Sequence, residues 1–141
     1  MIHFQLISAT GVKYDEDAYE VLLPTKDGRI AVFEDHMPLL SAGSPGVLSI
    51  RKKAGDADGE MENFAVYGGV LEVDGKTARF VTEDVTAADE VSEQEAREAL
   101  DKAQKLVESA GSREALHEAQ TVLHQHTVKL HLAQLKRRHH R

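Results

Sequence analysis

The stretch Phe64-Ala-Val-Tyr-Gly-Gly-Val-Leu-Glu-Val73 contains two short apolar β-type runs that meet at a pair of glycines. Glycines inside a strand pattern mark a bend or a close approach of another backbone. A second stretch, Asp27-Gly-Arg-Ile-Ala-Val-Phe-Glu-Asp-His-Met-Pro-Leu-Leu40, places a turn, a strand, a histidine and a proline in order. Neither stretch pairs a nucleophile with a base or groups metal ligands. Together they predict a β scaffold that binds partners and does no chemistry of its own.

Short apolar runs and turn residues alternate through the first 88 residues. The Asp-Gly pairs at 27–28 and 74–75 predict tight hairpins of type I′, in which both central residues have positive φ. Frequent short strands favour a sandwich or barrel over βαβ units. We therefore predict an antiparallel β-sandwich over residues 1–88, with strands at 2–6, 19–24, 46–51, 63–67, 69–73 and 76–82.

Near Asp89 the apolar period changes from 2 to 3.6 residues. Ser92 and Glu95 form a capping box, and apolar residues then follow one helical face to Ala110. Gly111 suits the end of this helix, and Ser112 suits the N-cap of the next. The pattern predicts an antiparallel helical hairpin over residues 89–141, with helices of roughly 18 and 25 residues and a link of one or two residues. The fold class is therefore α+β.

Composition excludes several kinds of function. The chain has no Cys, so disulfides and thiolate chemistry are excluded. No apolar run approaches the roughly 20 residues that cross a bilayer. The first residues alternate like a strand and lack a basic region, so we expect no signal peptide and a cytosolic or organelle-made protein.

Charge is distributed unevenly along the chain. Residues 1–90 carry 8 basic and 17 acidic side chains, a net charge of −9, whereas residues 91–141 carry 9 and 7, a net charge of +2. No acid follows Glu118, while bases continue to Arg141. A cationic tail on an acidic body indicates an acidic partner surface, or docking of the tail on its own body. Nucleic acid is disfavoured because the body is acidic and the tail lacks aromatic residues for stacking.

These motifs, taken in order, resemble the epsilon subunit of F-type ATP synthases. The stretch 28–40 is similar to that family's G-E-L-G-I-x-P-G-H-A-P-L-L, 45–48 to its P-G-x-L/I, and 68–73 to its G-G-x-L-E-V. The resemblance covers nearly the whole chain. The chain departs from the pattern at Arg29, where an acid is usual, at Ala31, where glycine is usual, and at Glu34-Asp35, which replaces a Pro-Gly pair.

The resemblance implies a non-catalytic rotor subunit. Its β domain is expected to bind the gamma subunit and the ring of c subunits, and its hairpin to restrain ATP hydrolysis by changing shape. Peripheral attachment at the cytoplasmic face of a bacterial inner membrane is expected, with a chloroplast thylakoid as the less favoured location. The implied ring contacts are Asp27, Gly28, Arg29, His36 and Pro38. The implied inhibitory contacts, toward catalytic beta and alpha subunits, are Lys129, Lys136, Arg137 and Arg138.

No cofactor or metal is predicted. Some bacterial members of the family bind ATP through an I/L-D-x-x-R-A motif, but here Ser92 replaces the Asp and Glu95 replaces the Arg. An acid in place of a phosphate-pairing cation repels ATP. His117, His124 and His131 recur every seven residues, whereas a zinc site favours pairs at i,i+4 or a close cluster. A solvated or partner-facing histidine stripe is therefore the expected role.

Two hypotheses remain open at this point. The first is the coupling and regulatory subunit that the resemblance implies, and the alternative is a free-standing adaptor that binds another acidic protein. Alanines dominate the predicted helix–helix contact and bury little area, so we expect a marginally stable hairpin that partners can open.

Overall fold

The computed structural model describes residues 1–139, with eight strands followed by two helices. Single 3₁₀ turns lie at Asp58–Glu60 and Ala88–Glu90. The helices are α1 (Glu93–Glu108) and α2 (Arg113–His139). The strands are β1 (Ile2–Ser8), β2 (Gly11–Ala18), β3 (Glu20–Thr25), β4 (Gly28–Val32), β5 (His36–Arg51), β6 (Glu62–Gly75), β7 (Thr77–Val81) and β8 (Val85–Ala87).

The strands form the predicted β-sandwich, and two of them contribute to both layers. Layer one contains β2, β1, β7, the second half of β6 and the first half of β5. Layer two contains β4, β3, the second half of β5, the first half of β6 and β8. Aliphatic and aromatic side chains from both layers fill the space between them, including Phe4, Leu48, Leu71 and Phe80. Alternating side chains of β1 and β7 point into this core.

The sheet is mixed, whereas the sequence predicted a purely antiparallel one. Strands β1 and β7 pair in parallel, with Phe4 opposite Ala78 and Leu6 opposite Phe80. Strands that are distant in sequence have no hairpin to fix their relative direction, and apolar alternation is the same in either direction. The acidic strand β2 and the three-residue strand β8 were not predicted. Strand β2 buries only Tyr14 and Ala18, so its sequence alternates too weakly to be recognised.

The Gly68-Gly69 pair bends one continuous strand, β6, which the sequence had predicted as two strands. Both glycines have positive φ, at 112° and 146°. A Cβ at Gly69 would lie 2.3 Å from the carbonyl oxygen of Val81, so no larger residue fits. The bend carries β6 from one layer into the other. The predicted type I′ turns are wrong, because Asp35 is the one non-glycine residue with positive φ among residues 1–139.

Helices α1 and α2 form the predicted hairpin, with 16 and 27 residues. Ser92 caps α1 by accepting a hydrogen bond from the Glu95 amide, and Ser112 accepts one from the Ala115 amide. The link spans 109–112, longer than predicted, because α1 ends at Glu108 and Ser109 is its C-cap. Gly111 lacks the positive φ expected of a helix-terminating glycine. The interhelical contact is rich in alanine, as predicted, with Ala96, Ala103, Ala119 and Ala133 buried, although Ala115 and Leu106 are exposed.

A second, small core attaches the hairpin to the outer face of layer two. Val128 and Leu132 of α2 pack against Val47 of β5 and Ala65 of β6, and all four side chains are buried. Tyr67, Ala88, Val91 and Leu135 surround them. Burial of a Val or Leu side chain contributes about 1.5–3 kcal/mol, so this contact supplies only a few kcal/mol before the entropy of ordering the helix is subtracted.

The bend predicts a large cost for Gly69→Ala. Both the φ of 146° and the contact with the Val81 oxygen oppose a methyl group there. We expect a loss of at least about 2 kcal/mol in the free energy of unfolding, measured by urea denaturation. Gly55→Ala is the control, because nothing lies within 4 Å of its Cβ position and its φ is ordinary. Equal stability of the two variants would contradict the role of the bend.

Candidate functional site

The first predicted ring contact is the turn that joins β3 and β4. Thr25 organises it, since its hydroxyl donates to the Gly28 carbonyl oxygen at 2.5 Å and accepts from the Asp27 amide at 3.3 Å. Gly28 has a φ of 114°, which glycine adopts without strain. Asp27 and Gly28 are both exposed. The turn is therefore a rigid projection available to a partner.

Arg29 follows this turn and lies on the outer face of layer two. Its Nη2 donates to the Ser49 hydroxyl at 2.9 Å, and that hydroxyl donates to the Asn63 side-chain oxygen at 2.6 Å. The same face carries α2, and His131 and Leu135 line a shared groove with Arg29. The Arg29 guanidinium is thus held across its own sheet, where an acid is usual in the resembled family.

The second predicted ring contact, His36 and Pro38, begins strand β5. His36 Nδ1 lies 2.7 Å from the Met37 carbonyl oxygen, and Met37 itself is 79% exposed. Asp35, the preceding residue, has a φ of 62°, in the left-handed region that glycine adopts most readily. This agrees with Asp35 occupying the glycine position of the resembled P-G-H motif.

An ionic cluster holds this turn. Lys76 Nζ lies 3.0 Å from an Asp35 carboxylate oxygen and 3.5 Å from Glu34. The amino group of Met1 lies 3.0 Å from Glu34. The Met1 amino group, followed by Lys76, lowers the pKa of Glu34, and Asp35 raises the pKa of Lys76. These side chains are exposed, so each pair contributes little energy, but together they tie three chain segments beside His36.

The two predicted ring contacts lie at opposite ends of β4. Strand β4 is at the edge of the sheet, paired to β3 alone in the described strand order. Its five residues, at about 3.3 Å each, separate the two turns by about 16 Å. The structure therefore does not cluster Asp27–Arg29 with His36 and Pro38. It places them at the two ends of this edge strand.

Three of the four predicted inhibitory bases lie against other parts of the same chain. Lys129 Nζ is 5.9 Å from the centre of the Tyr67 ring, a cation–π distance. Lys136 lines a cleft with Glu60 and Glu62. Arg137 Nη1 lies 3.0 Å from Glu93 Oε1, at the start of α1. Arg138 is exposed, and the remaining tail residues His140 and Arg141 lie outside the described residues. Lys129 and Lys136 therefore lie against the acidic body, one of the two arrangements the charge asymmetry indicated, while Arg137 pairs within the hairpin.

The stretch that resembles the ATP motif borders a cavity of about 210 Å³. Ser92, Glu95, Glu90, His126 and Lys129 are among its lining residues. Glu90 and Glu95 place two carboxylates beside any ligand there, and Lys129 is the one cation among the cavity's lining residues. Two acids against one base disfavour a polyphosphate, in line with the absence of the motif's arginine.

An apolar row on the outer face of layer one was missed by sequence reasoning. Cross-strand pairing aligns Val12, Ile7, Val81, Val70 and Ala42 on five neighbouring strands. Val12, Val81 and Val70 are 58%, 45% and 50% exposed, and Leu40, beside the row, is 74% exposed. The signal was present in the adjacent apolar pairs Val70-Leu71 and Phe80-Val81, where strict alternation fails. An uncovered apolar row of this kind marks an interaction surface.

None of the helices within residues 1–139 is both long and apolar enough to cross a bilayer. The sandwich, its two turns and the docked arm together describe a binding subunit with separate contact surfaces. Comparisons with known proteins give the same class. A family model described as the beta-sandwich domain of the ATP synthase delta/epsilon chain matches residues 1–88.

Relatives match over most of the chain. The ATP synthase epsilon chain of Sulfurihydrogenibium sp. is 37% identical over 107 residues, covering 75% of this chain and 77% of that protein. The Brucella canis epsilon chain is 28% identical over 122 residues, covering 86% and 87%. This chain belongs to the ATP synthase delta/epsilon family. Within it, the chain is an epsilon-type subunit, a non-catalytic member of the enzyme complex, and the adaptor alternative is not favoured.

Two solved structures share the fold. A chain of the Euglena gracilis mitochondrial ATP synthase superposes with a TM-score of 0.78 at 16% identity, covering 89% of this chain and 77% of that one. A chain of the Tetrahymena thermophila mitochondrial ATP synthase gives 0.59 at 15% identity, covering 96% of both. At these identities the similarity concerns the fold alone.

Proposed function

We propose that this subunit rides on the central stalk of a rotary ATP synthase, couples proton flow to ATP synthesis, and restrains ATP hydrolysis through its helices. The observation that supports this most is the contrast between its two parts. The sandwich is a stiff, fully packed platform with two uncovered contact surfaces. The hairpin is attached to it through a small core of four side chains and the cation–π contact of Lys129 with Tyr67.

The apolar row on layer one is the proposed surface for the gamma subunit. It crosses five strands, so a helix or coiled coil lying across them would cover Val81 and Val70 at its centre. The turns at the two ends of β4 are the proposed contacts with the ring of c subunits. Rigid turns suit that task because a joint that carries torque must not yield, and Thr25 and Lys76 stiffen one turn each.

The cationic arm is the proposed inhibitory element. In the docked state, Lys129 and Arg137 are engaged by Tyr67 and Glu93, so they are withheld from any partner. Once released, Lys129, Lys136, Arg137 and Arg138 would meet acidic segments of the catalytic beta and alpha subunits. At 1.5 Å per residue the 27-residue α2 is about 40 Å long, which gives the arm its reach. Attraction of this kind weakens as salt concentration rises.

The proposed location follows from the function. A subunit that joins the stalk to the ring lies at the membrane surface without crossing it, here at the cytoplasmic face of a bacterial inner membrane. The domain division at residue 88 is part of the same proposal, with the platform before it and the regulatory hairpin after it.

The gamma-binding surface predicts that Val70→Glu weakens assembly. A buried, unpaired carboxylate in an apolar contact costs several kcal/mol, so we expect affinity for purified gamma subunit to fall by at least about 100-fold. Leu106→Glu on α1 is the control, because Leu106 is equally exposed at 54% but lies outside the row. Titration calorimetry measures both. If Val70→Glu bound gamma as tightly as the parent chain, this surface would not be the gamma-binding surface.

If the arm is inhibitory, ATP hydrolysis should be faster when the arm is deleted or when its basic side chains are replaced by neutral ones. A chain that ends at Asp89, and a full chain with Lys136, Arg137 and Arg138 replaced by alanine, should both raise the hydrolysis rate of reconstituted synthase at low salt. A matched variant with Lys102, Lys105 and Arg113 replaced by alanine should not. If the two triple variants hydrolyse ATP at the same rate as the parent, the arm is not the inhibitory element.

A further inference from the structure

His126 of α2 lies between several elements, and one of its ring nitrogens is buried and has no hydrogen-bond partner among the described residues. It lines the 210 Å³ cavity that α2 shares with α1 and the Ala88–Glu90 turn. Its Nδ1 is buried and has no hydrogen-bond partner within residues 1–139. A neutral imidazole can leave that nitrogen unprotonated, as a bare lone pair. A protonated ring must place an N–H there, and a buried donor without an acceptor is destabilising.

Charged groups face this ring from all three elements. Lys129 follows one turn later on α2, while Glu95 of α1 and Glu90 of the 3₁₀ turn line the same cavity. Both carboxylates are exposed to solvent, which screens them, and neither forms a hydrogen bond with the buried Nδ1. Burial first, and Lys129 second, lower the pKa of His126. The neighbouring lining residues Thr86, Ser92, Ala96 and Ala99 carry no charge.

We propose that the hairpin is a pH-sensitive device in which protonation of His126 releases α2 from α1 and from the sandwich. In the packed hairpin the neutral ring is favoured, whereas in the open hairpin His126 is solvated and takes up a proton near its ordinary pKa of about 6.5. Packing is therefore fully favoured above about pH 6.5 and is lost progressively as pH falls below it. The ratio of open to packed hairpin rises up to about tenfold per pH unit, until the lowered pKa is passed.

The consequence for the synthase rests on the proposed inhibitory function of the arm. Under that proposal, mild acidification of the compartment that faces the hairpin would free the cationic helix and increase the inhibition of ATP hydrolysis. Hairpin opening itself requires no other subunit, so it can be tested in the isolated chain.

The test measures hairpin opening in the full-length chain between pH 8 and pH 5.5, above the range in which ordinary carboxylates titrate. The chain has no native Cys, so spin labels on Lys102→Cys and Glu118→Cys report one α1–α2 distance by double electron–electron resonance. We expect a short-distance population at pH 8 that declines in favour of long distances below about pH 6.5. His126→Gln and His126→Leu should both remove that decline, while His131→Gln on the same helix should keep it.

Three results would overturn the proposal: a distance distribution that does not change with pH in the parent, the same decline in both His126 variants, or its loss in His131→Gln alone. Proton-detected titration of the histidine rings gives an independent reading, because the device requires His126 to titrate below the ordinary histidine range. If opening depends on His126 but the rate of ATP hydrolysis by the synthase does not change with pH, the pH-sensitive hairpin is supported and the inhibitory function of the arm is contradicted. The two ideas therefore fail separately.

Discussion

The contact between Leu132 and the outer face of layer two is the interaction on which this molecule's organisation depends. Leu132 is fully buried beside Val128, Val47 and Ala65, and it fixes a helix of 27 residues along the sandwich. The sandwich core does not need this contact, because it is filled from within by both layers. The two halves of the chain therefore differ in kind. One is held by a large core, and the other by a contact of a few side chains whose stabilisation is of the size that a competing partner can supply.

Charge reinforces the same division. The acidic body attracts the cationic arm, so the docked state is favoured over a free arm even where individual ion pairs are weak. Lys129 lies over Tyr67 and Lys136 lines a cleft with Glu60 and Glu62 of the body, while Arg137 pairs with Glu93 of α1. An acidic partner surface competes for the same side chains. Docking on the body and binding to a partner are then alternatives for one set of bases, which is what a switch requires.

Much of the fold could be predicted from sequence, and the parts that could not have physical reasons. Ser92 and Ser112 marked the starts of both helices because capping is a local interaction. The bend at Gly68-Gly69 was visible because only glycine fits there. The parallel pairing of β1 with β7 was not visible, since it depends on strands about 70 residues apart. Val128 and Leu132 were also missed, because the apolar residues of α2 fall on two faces, one toward α1 and one toward the sandwich, and two faces obscure the single periodic pattern of an amphipathic helix.

The sequence could suggest candidate site residues but not their arrangement. The sequence names Asp27, Arg29 and His36 as ring contacts, which stays a prediction, but a motif cannot say that they lie at opposite ends of an edge strand, or that the Arg29 side chain pairs with Ser49. The central claim is that the subunit does not inhibit hydrolysis while its arm is docked on the sandwich. A disulfide between Ala65→Cys and Leu132→Cys, in a chain with no other cysteine, would hold α2 on the sandwich in assembled synthase. The account predicts full hydrolysis while the bond is intact and restored inhibition after reduction. Inhibition that persists with the bond closed would contradict it.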